Sequence, residues 1–482
     1  MKIILIDPRG LLKGLNTGLG YLASSLKSKG YNVEVLDLNN NRDNEAERLK
    51  KTIDADIVGI SIKSFTMHAG LETAKKVREI SLSATIIFGG PHLSVDGVKF
   101  IKDNNVADLG LVGEGEEALI EIIERKPFAE IEGLIFRNEK GDVIRNKDRR
   151  WNPEISDLHF PDYCSFDSIE NIEDYPLLTS RGCPYPCSYC SVPFVIGKKW
   201  RGRTPEDVIE ELKYAMGAYK TKRFTIIDDN FTLLMDRARA ICQKLIDEDL
   251  ALEWSCSNGI RADGLDFSLL KLMRKSGCES IMIGVESGDD RVFDLVNKGE
   301  CLQKVKDAIT MGHEAGVRVG GFFILGLQGS TFESDMRSLE CAMELKLEIA
   351  LFGILVPYPC TPIWDQLHKD PKIKFLGDWQ DGFHFGAVPK IVFESEDYSA
   401  AERVKAYYIT NLRMLNWEAL TGQNNPKIGF IKCMYLVLRH DPLHMGTYAT
   451  IVFKRLMARV MRSNPTKGRT EGTCGAPSQT RH

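Results

Sequence analysis

The 482-residue chain has no uncharged apolar run long enough to span a bilayer. Its first ten residues hold a short apolar strand but no signal-peptide cleavage region, so the expected location is the cytoplasm. Neither sign of charge dominates. The 63 basic and 67 acidic side chains leave a net charge of −4, and no global field draws the protein to nucleic acid. A disulfide framework is also missing: twelve cysteines are scattered along the chain and only three are closely spaced, as suits a reducing compartment. No cysteine precedes Cys164, and only Cys433 and Cys474 lie beyond Cys360. This argues against a second cysteine cluster in the N-terminal third and against an auxiliary all-cysteine iron–sulfur cluster near the C-terminus.

The three close cysteines are Cys183, Cys187 and Cys190, in Arg181-Gly-Cys-Pro-Tyr-Pro-Cys-Ser-Tyr-Cys190. The spacing C-x3-C-x2-C supplies three thiolates and no fourth. A structural zinc site closes with four protein ligands. A [4Fe–4S] cluster has four irons, so three thiolates leave one iron open to hold a further ligand. The glycine and prolines impose a compact loop. A zinc knuckle, or three unrelated thiols, is the competing reading.

Hydrophobic residues make up 43% of the chain, enough for two or three cored domains. Residues 1–126 alternate apolar strand candidates (2–7, 32–38, 57–62, 85–88 and 109–112) with amphipathic helical stretches. That alternation predicts an α/β fold, a Rossmann-like doubly wound parallel sheet covered on both faces. Ligands of such sheets bind beyond the strands' carboxyl ends. Here those ends carry the turns 7–10, 61–66, 89–94 and 113–116. Residues 127–175 read as a hairpin and a proline-containing connector. Over 176–370 the βα alternation restarts, with strands expected at 177–180, 223–227, 253–257, 280–284, 318–323 and 347–355. Six such units predict a partial (β/α)6 TIM barrel with its chemistry at the C-terminal rim. Rim candidates are Asp228 and Asp229, Ser257 with Asn258 and Arg261, and Glu286 with Ser287. The stretch 371–463 reads as a small, mostly helical cap over the barrel mouth, and 464–482 as a disordered polar tail. Two apolar segments, 428–438 and 451–460, carry basic residues. They suit either docking helices or peripheral contact with the inner membrane face.

The cysteine motif resembles the signature of the radical S-adenosylmethionine (SAM) superfamily. The resemblance implies that Cys183, Cys187 and Cys190 ligate a [4Fe–4S] cluster and that SAM chelates the open iron. It also implies that Tyr189 lies near the adenine and that Asp228 and Asp229 lie near the SAM amino group. Ser257, Glu286 and Ser287 would sit along the rim that binds the rest of SAM, with Glu286 and Ser287 near its ribose or amino acid part. The turns of the first domain look like the cobalamin-binding domain found ahead of many radical SAM cores. In that resemblance Ser61, Gly89, Gly90, His92, Gly113 and Glu114 belong to the cofactor site. No D-x-H-x-x-G follows the first strand, so the lower-ligand histidine of other cobalamin enzymes is absent. A flavodoxin-like domain without cobalamin is the alternative.

The resemblance spans roughly residues 1–370. It implies a cobalamin-dependent C-methyltransferase acting on an unactivated carbon of a small-molecule or lipid substrate. One SAM would serve as methyl donor to cobalamin and a second as radical source, with a reductase or flavodoxin as electron donor. A non-methylating cyclase, or another ring- or lipid-modifying enzyme of the same two-domain family, stays open. A tRNA methylthiotransferase would need cysteines that the N-terminal third lacks, and a non-enzymatic binding module would need a vestigial cluster loop. No side chain stands out as a catalytic base.

Overall fold

A computed structural model describes residues 1–448, except 11, 12, 168, 170, 384–388, 417–419, 421–434 and 447. The strands of the first sheet are β1 (Lys2–Asp7), β2 (Asn32–Asp37), β3 (Ile57–Ser61), β4 (Thr85–Gly89), β5 (Leu109–Leu111), β6 (Leu134–Arg137) and β7 (Val143–Arg145). They lie in the order β2-β1-β3-β4-β5-β6-β7. The first five are parallel, and β5-β6-β7 pair antiparallel. The hairpin expected to belong to the linker is therefore the edge of this sheet. It covers β5, whose three residues would otherwise end in unpaired backbone groups.

Side chains alternate along β1. Ile4 and Ile6 enter one core with Val58 and Ile60. Ile3 and Leu5 enter another, which runs on through Tyr163 and Tyr175 into the barrel. The connector is thus packed and not loose. Tyr163 is fully buried, its hydroxyl 3.2 Å from Thr17 Oγ1 and its backbone N–H donating to Tyr219 Oη at 3.0 Å.

The second domain contains β8 (Asp174–Leu177), β9 (Ser180–Arg181), β10 (Arg201–Gly202), β11 (Arg223–Ile226), β12 (Glu253–Ile260), β13 (Cys278–Glu286), β14 (Arg318–Leu325) and β15 (Ala350–Ile354). Six of these form a parallel sheet in the order β15-β14-β13-β12-β11-β8, the partial barrel. The first barrel strand begins at Asp174, three residues before the expected start. Pro176 lies within it, which an edge strand tolerates because one side of its backbone has no ladder partner. The chain then leaves the barrel at β9, which pairs antiparallel with β10. This two-stranded clip frames the cysteine loop.

Beyond the barrel, β16 (Ile373–Phe375) and β17 (Phe393–Ser395) pair antiparallel, and a helix follows over Ala400–Arg413. The fully buried Arg403 of that helix donates to the Gly326 carbonyl at 3.1 Å and ties the cap to β14. Trp417, the segment 451–460, the tail 464–482 and most of the segment 428–438 lie outside the described residues. Among the described residues no helix is long and apolar enough to cross a membrane.

Candidate functional site

The cysteine loop is positioned by backbone on every side. Cys183 N–H donates to the Gly197 carbonyl at 3.2 Å, Ser188 N–H to the Val296 carbonyl at 2.8 Å, and Ile363 N–H to the Ser188 carbonyl at 2.9 Å. Gly182 enters the loop at φ +87°, where a Cβ would lie 2.6 Å from the Lys199 carbonyl oxygen, so no other residue fits the turn. The three thiols are half-buried and unpaired by disulfides. Burial raises the pKa of Cys183 and pushes Cys187 up to about 11 and Cys190 up to about 12. An iron centre would therefore have to displace these protons on binding. Among the described residues no three His, Cys, Asp or Glu side chains converge closely enough for a single metal ion. A multi-iron cluster needs its ligands farther apart than one ion does. The motif supplies three thiols and no fourth, which suits a [4Fe–4S] cluster with one open iron, whereas a structural zinc site closes with four protein ligands. Sequence reading missed Asn230, which is buried, with Nδ2 4.0 Å from Cys183 Sγ and Oδ1 unpartnered among the described residues. Its signal was its place directly after Asp228 and Asp229.

The two rim aspartates have different tasks. Asp228 is buried, and its carboxylate accepts from Thr179 N at 2.6 Å, Thr179 Oγ1 at 2.5 Å and Ser180 Oγ at 2.6 Å. It holds the start of the clip and has little capacity left for a ligand. Asp229 is half-buried beside the thiols, and its pKa is raised to about 6, first by burial and then by Asp228. Ser257 is exposed, its hydroxyl 3.1 Å from Ser255 Oγ. Ser287 is buried and accepts the Asp289 N–H at 3.2 Å, which makes it a turn former.

Glu286 ends β13 in the left-handed region, at φ +63°. Lys298 Nζ lies 3.1 Å from Glu286 Oε1 and 3.1 Å from Glu300 Oε1, and also donates to the Gly284 carbonyl. Burial pulls the Lys298 pKa down, but Glu286 and Glu300 outweigh it and keep the ammonium charged. Burial, followed by the charge of Glu286, holds the Tyr189 phenol well above its ordinary pKa. Arg261 closes this side. Its guanidinium lies 3.4 Å over the Tyr185 ring, donates to the Lys298 carbonyl at 2.7 Å and forks onto Asp263 at 2.9 and 2.7 Å. Glu300 is two residues away from Lys298, but the Glu286 and Gly284 partners come from the end of β13 and leave no signal beside it in the sequence.

A mostly apolar cavity of about 300 Å³ opens at the carboxyl ends of β1, β3, β4 and β5. Ser61, Gly89, Gly90, Gly113 and Glu114 line it, and Arg181, Val195 and Ile196 of the second domain complete the wall. A Cβ on Gly89 would meet nothing within 4 Å, so its backbone borders open space. Gly90, at φ +97°, passes so close to the Ile62 carbonyl that a Cβ would sit 2.7 Å away. The glycine cradle, the apolar walls and the hydroxyls of Ser61 and Ser94 fit a flat, mostly apolar group with a few polar edges, as the nucleotide tail of a cobalamin has. His92 stands outside this lining. The stretch expected as a loop over 89–94 becomes a helix at Pro91, the N-terminal proline that helices favour. His92 is thereby buried, with Nδ1 3.2 Å from Ser64 Oγ and the ring near Phe100 and Trp379. Burial lowers its pKa to about 4.

Glu114 lines the cavity, but its carboxylate is fully engaged. Oε1 accepts from Arg181 Nη1 and from Arg201 Nη1, each at 2.8 Å, and Oε2 accepts from Asn152 N at 3.0 Å. Burial raises its pKa, but the two guanidiniums win and hold it below the ordinary value.

Residues 177–341 match the model of the radical SAM superfamily, and residues 11–123 match that of the B12 binding domain. An uncharacterized methyltransferase of Pyrococcus horikoshii is 29% identical over 86% of this chain and 93% of its own length. The anaerobic magnesium-protoporphyrin IX monomethyl ester cyclase of Cereibacter sphaeroides is 26% identical over 74% of this chain and 60% of its own. The radical SAM methyltransferase TsrM of Kitasatospora setae, solved with tryptophan and a SAM analogue, superposes with a TM-score of 0.66. That match covers 77% of this chain and 78% of the other at 18% identity, and it is a likeness of fold.

Proposed function

Because the chain belongs to the radical SAM superfamily, in the branch that carries a B12 binding domain, we propose that it is a cobalamin-dependent methyltransferase acting on an unactivated carbon of a small molecule. The observation that carries this reading is the shared wall. The cavity at the edge of the first sheet and the cysteine loop of the barrel meet at Arg181, Val195 and Ile196. When bound, the [4Fe–4S] cluster and cobalamin supply the electron that cleaves SAM to a 5′-deoxyadenosyl radical and the methyl group that the substrate radical takes up.

The chain's own residues bind, orient and exclude water. Cys183, Cys187 and Cys190 hold the cluster, and Asp229 receives the ammonium of SAM. Tyr189, half-buried near Glu286, borders the adenine side. Lys298 neutralises Glu286, so that strand end offers hydrogen-bond acceptors without an unpaired buried charge. Ser61, Gly89, Gly90 and Gly113 cradle the nucleotide tail of cobalamin, and Asp228 fixes the clip in place. A flavodoxin or reductase supplies electrons from outside.

The test is anaerobic reconstitution followed by product analysis. Methylation yields both S-adenosylhomocysteine and 5′-deoxyadenosine. A cyclase, the reading favoured by the Cereibacter relative, yields 5′-deoxyadenosine without the former. Failure to retain added cobalamin would remove the methyltransferase reading.

A further inference from the structure

We infer that Glu114 is a positioning residue through which filling of the cavity and the geometry of the cluster loop are coupled, an inference that rests on the cofactor reading above. Glu114 belongs to the loop after β5 in the first domain. Its single Oε1 holds Arg181 and Arg201, which face one another across the β9–β10 clip. One carboxylate of the first domain therefore grips both strands that frame the cysteines of the second.

Each guanidinium is fixed further. Arg181 lies 4.9 Å over the Tyr21 ring and reaches Glu116 at 3.1 Å. Arg201 lies 5.6 Å over the Trp151 ring and donates to the Asn152 carbonyl at 2.7 Å and the Ile196 carbonyl at 2.9 Å. Arg181 is 7% exposed and Arg201 4%, so the ion cluster lies where charge interactions are little screened. Tyr21, Gly113, Glu114, Glu116, Arg181 and Ile196 all line the cavity. A group filling it presses on the same atoms that set the two arginines.

Transmission to the thiols is short. Gly182 alone separates Arg181 from Cys183, and it is wedged against the Lys199 and Gly197 carbonyls with no room for a Cβ. A shift of Arg181 must therefore move Cys183 or open the clip. Tight packing of this kind passes displacement on and does not absorb it. Coupling between two sites is reciprocal: whatever factor cobalamin contributes to SAM binding, SAM contributes to cobalamin binding.

The experiment titrates SAM into the cluster-loaded protein, with the cluster kept oxidised so that nothing turns over, in the presence and absence of aquacobalamin. The reverse titration is done as well. The expected result is a mutual increase in affinity of about tenfold in the parent protein. In Glu114→Gln that factor falls to within about twofold of unity, whatever the change in the affinity for each ligand alone, while the iron content is largely kept. A merely structural role would change the single affinities and leave the factor alone. Should Glu114→Gln not fold, Arg201→Met, which removes one arm of the clasp, carries the same expectation. An unchanged factor in a folded variant, or a factor of one in the parent, overturns the inference and leaves the functional reading standing. A parent protein that takes up no cobalamin overturns the functional reading instead.

Discussion

At the scale of single residues, neighbouring side chains of one type part company. Cys187→Ala removes one of three ligands, so reconstituted iron should fall well below about four per chain and 5′-deoxyadenosine formation should cease. Iron assay and chromatography check both. Asp228→Ala leaves the donors of Thr179 and Ser180 unsatisfied in a buried site. It should cost on the order of 3 kcal/mol, read by denaturant unfolding of the apoprotein. Asp229→Asn has the opposite sign. The folded-state pKa of Asp229 is about 6 against an ordinary 3.8, so between those values the native state binds the extra proton. Stability falls as pH rises through that window and the loss is complete above it. Without that charge, the variant should be more stable than the parent at pH 7.5 by about 1–2 kcal/mol. It should also bind SAM about tenfold more weakly, since the ammonium loses a charged acceptor. Unfolding curves at pH 4.5 and 7.5 with a SAM titration check the trade.

At the scale of elements, the β9–β10 clip and the end of β13 are the parts under constraint. Gly182→Ala must place a side chain at φ +87° against two carbonyl oxygens. It should destabilise the clip by about 1–3 kcal/mol and lower iron retention even though every cysteine is kept. Iron content after desalting reads this directly. At β13, Glu286 and Lys298 are buried together. Glu286→Ala or Lys298→Ala alone should cost about 3–5 kcal/mol, and the double variant clearly less than the sum of the two. A double-mutant cycle by urea unfolding of the apoprotein checks the coupling.

At the scale of the whole molecule, one core runs from a face of the first sheet through Tyr163 and Tyr175 into the barrel, and the cavity takes its walls from both domains. Cobalamin at about a hundred times its dissociation constant should therefore stabilise the protein by about 2.7 kcal/mol. Calorimetry should find that stabilisation in a single transition, not in the first domain alone. A first domain that shifts by itself would mean that the shared wall carries no load.

The chain's local patterns were enough for its cofactor chemistry. C-x3-C-x2-C is read within eight residues, and continuous apolar runs mark strands buried on both faces, so β1 and the barrel were legible, while the expected turn over 89–94 is a helix from Pro91. Exceptions arose where a distant partner decides. The 134–145 hairpin joins the first sheet because β5 needs a neighbour, and Pro176 is accepted because β8 lies at an edge. Only tertiary structure could assign the acidic side chains. Asp228 is spent on donors 48 and 49 residues away, and Glu114 on arginines 67 and 87 residues away, while Asp229 lies half-buried beside the thiols. A carboxylate's role depends on which donors reach it, and such pairings are set by packing across the chain, not by the residues beside it.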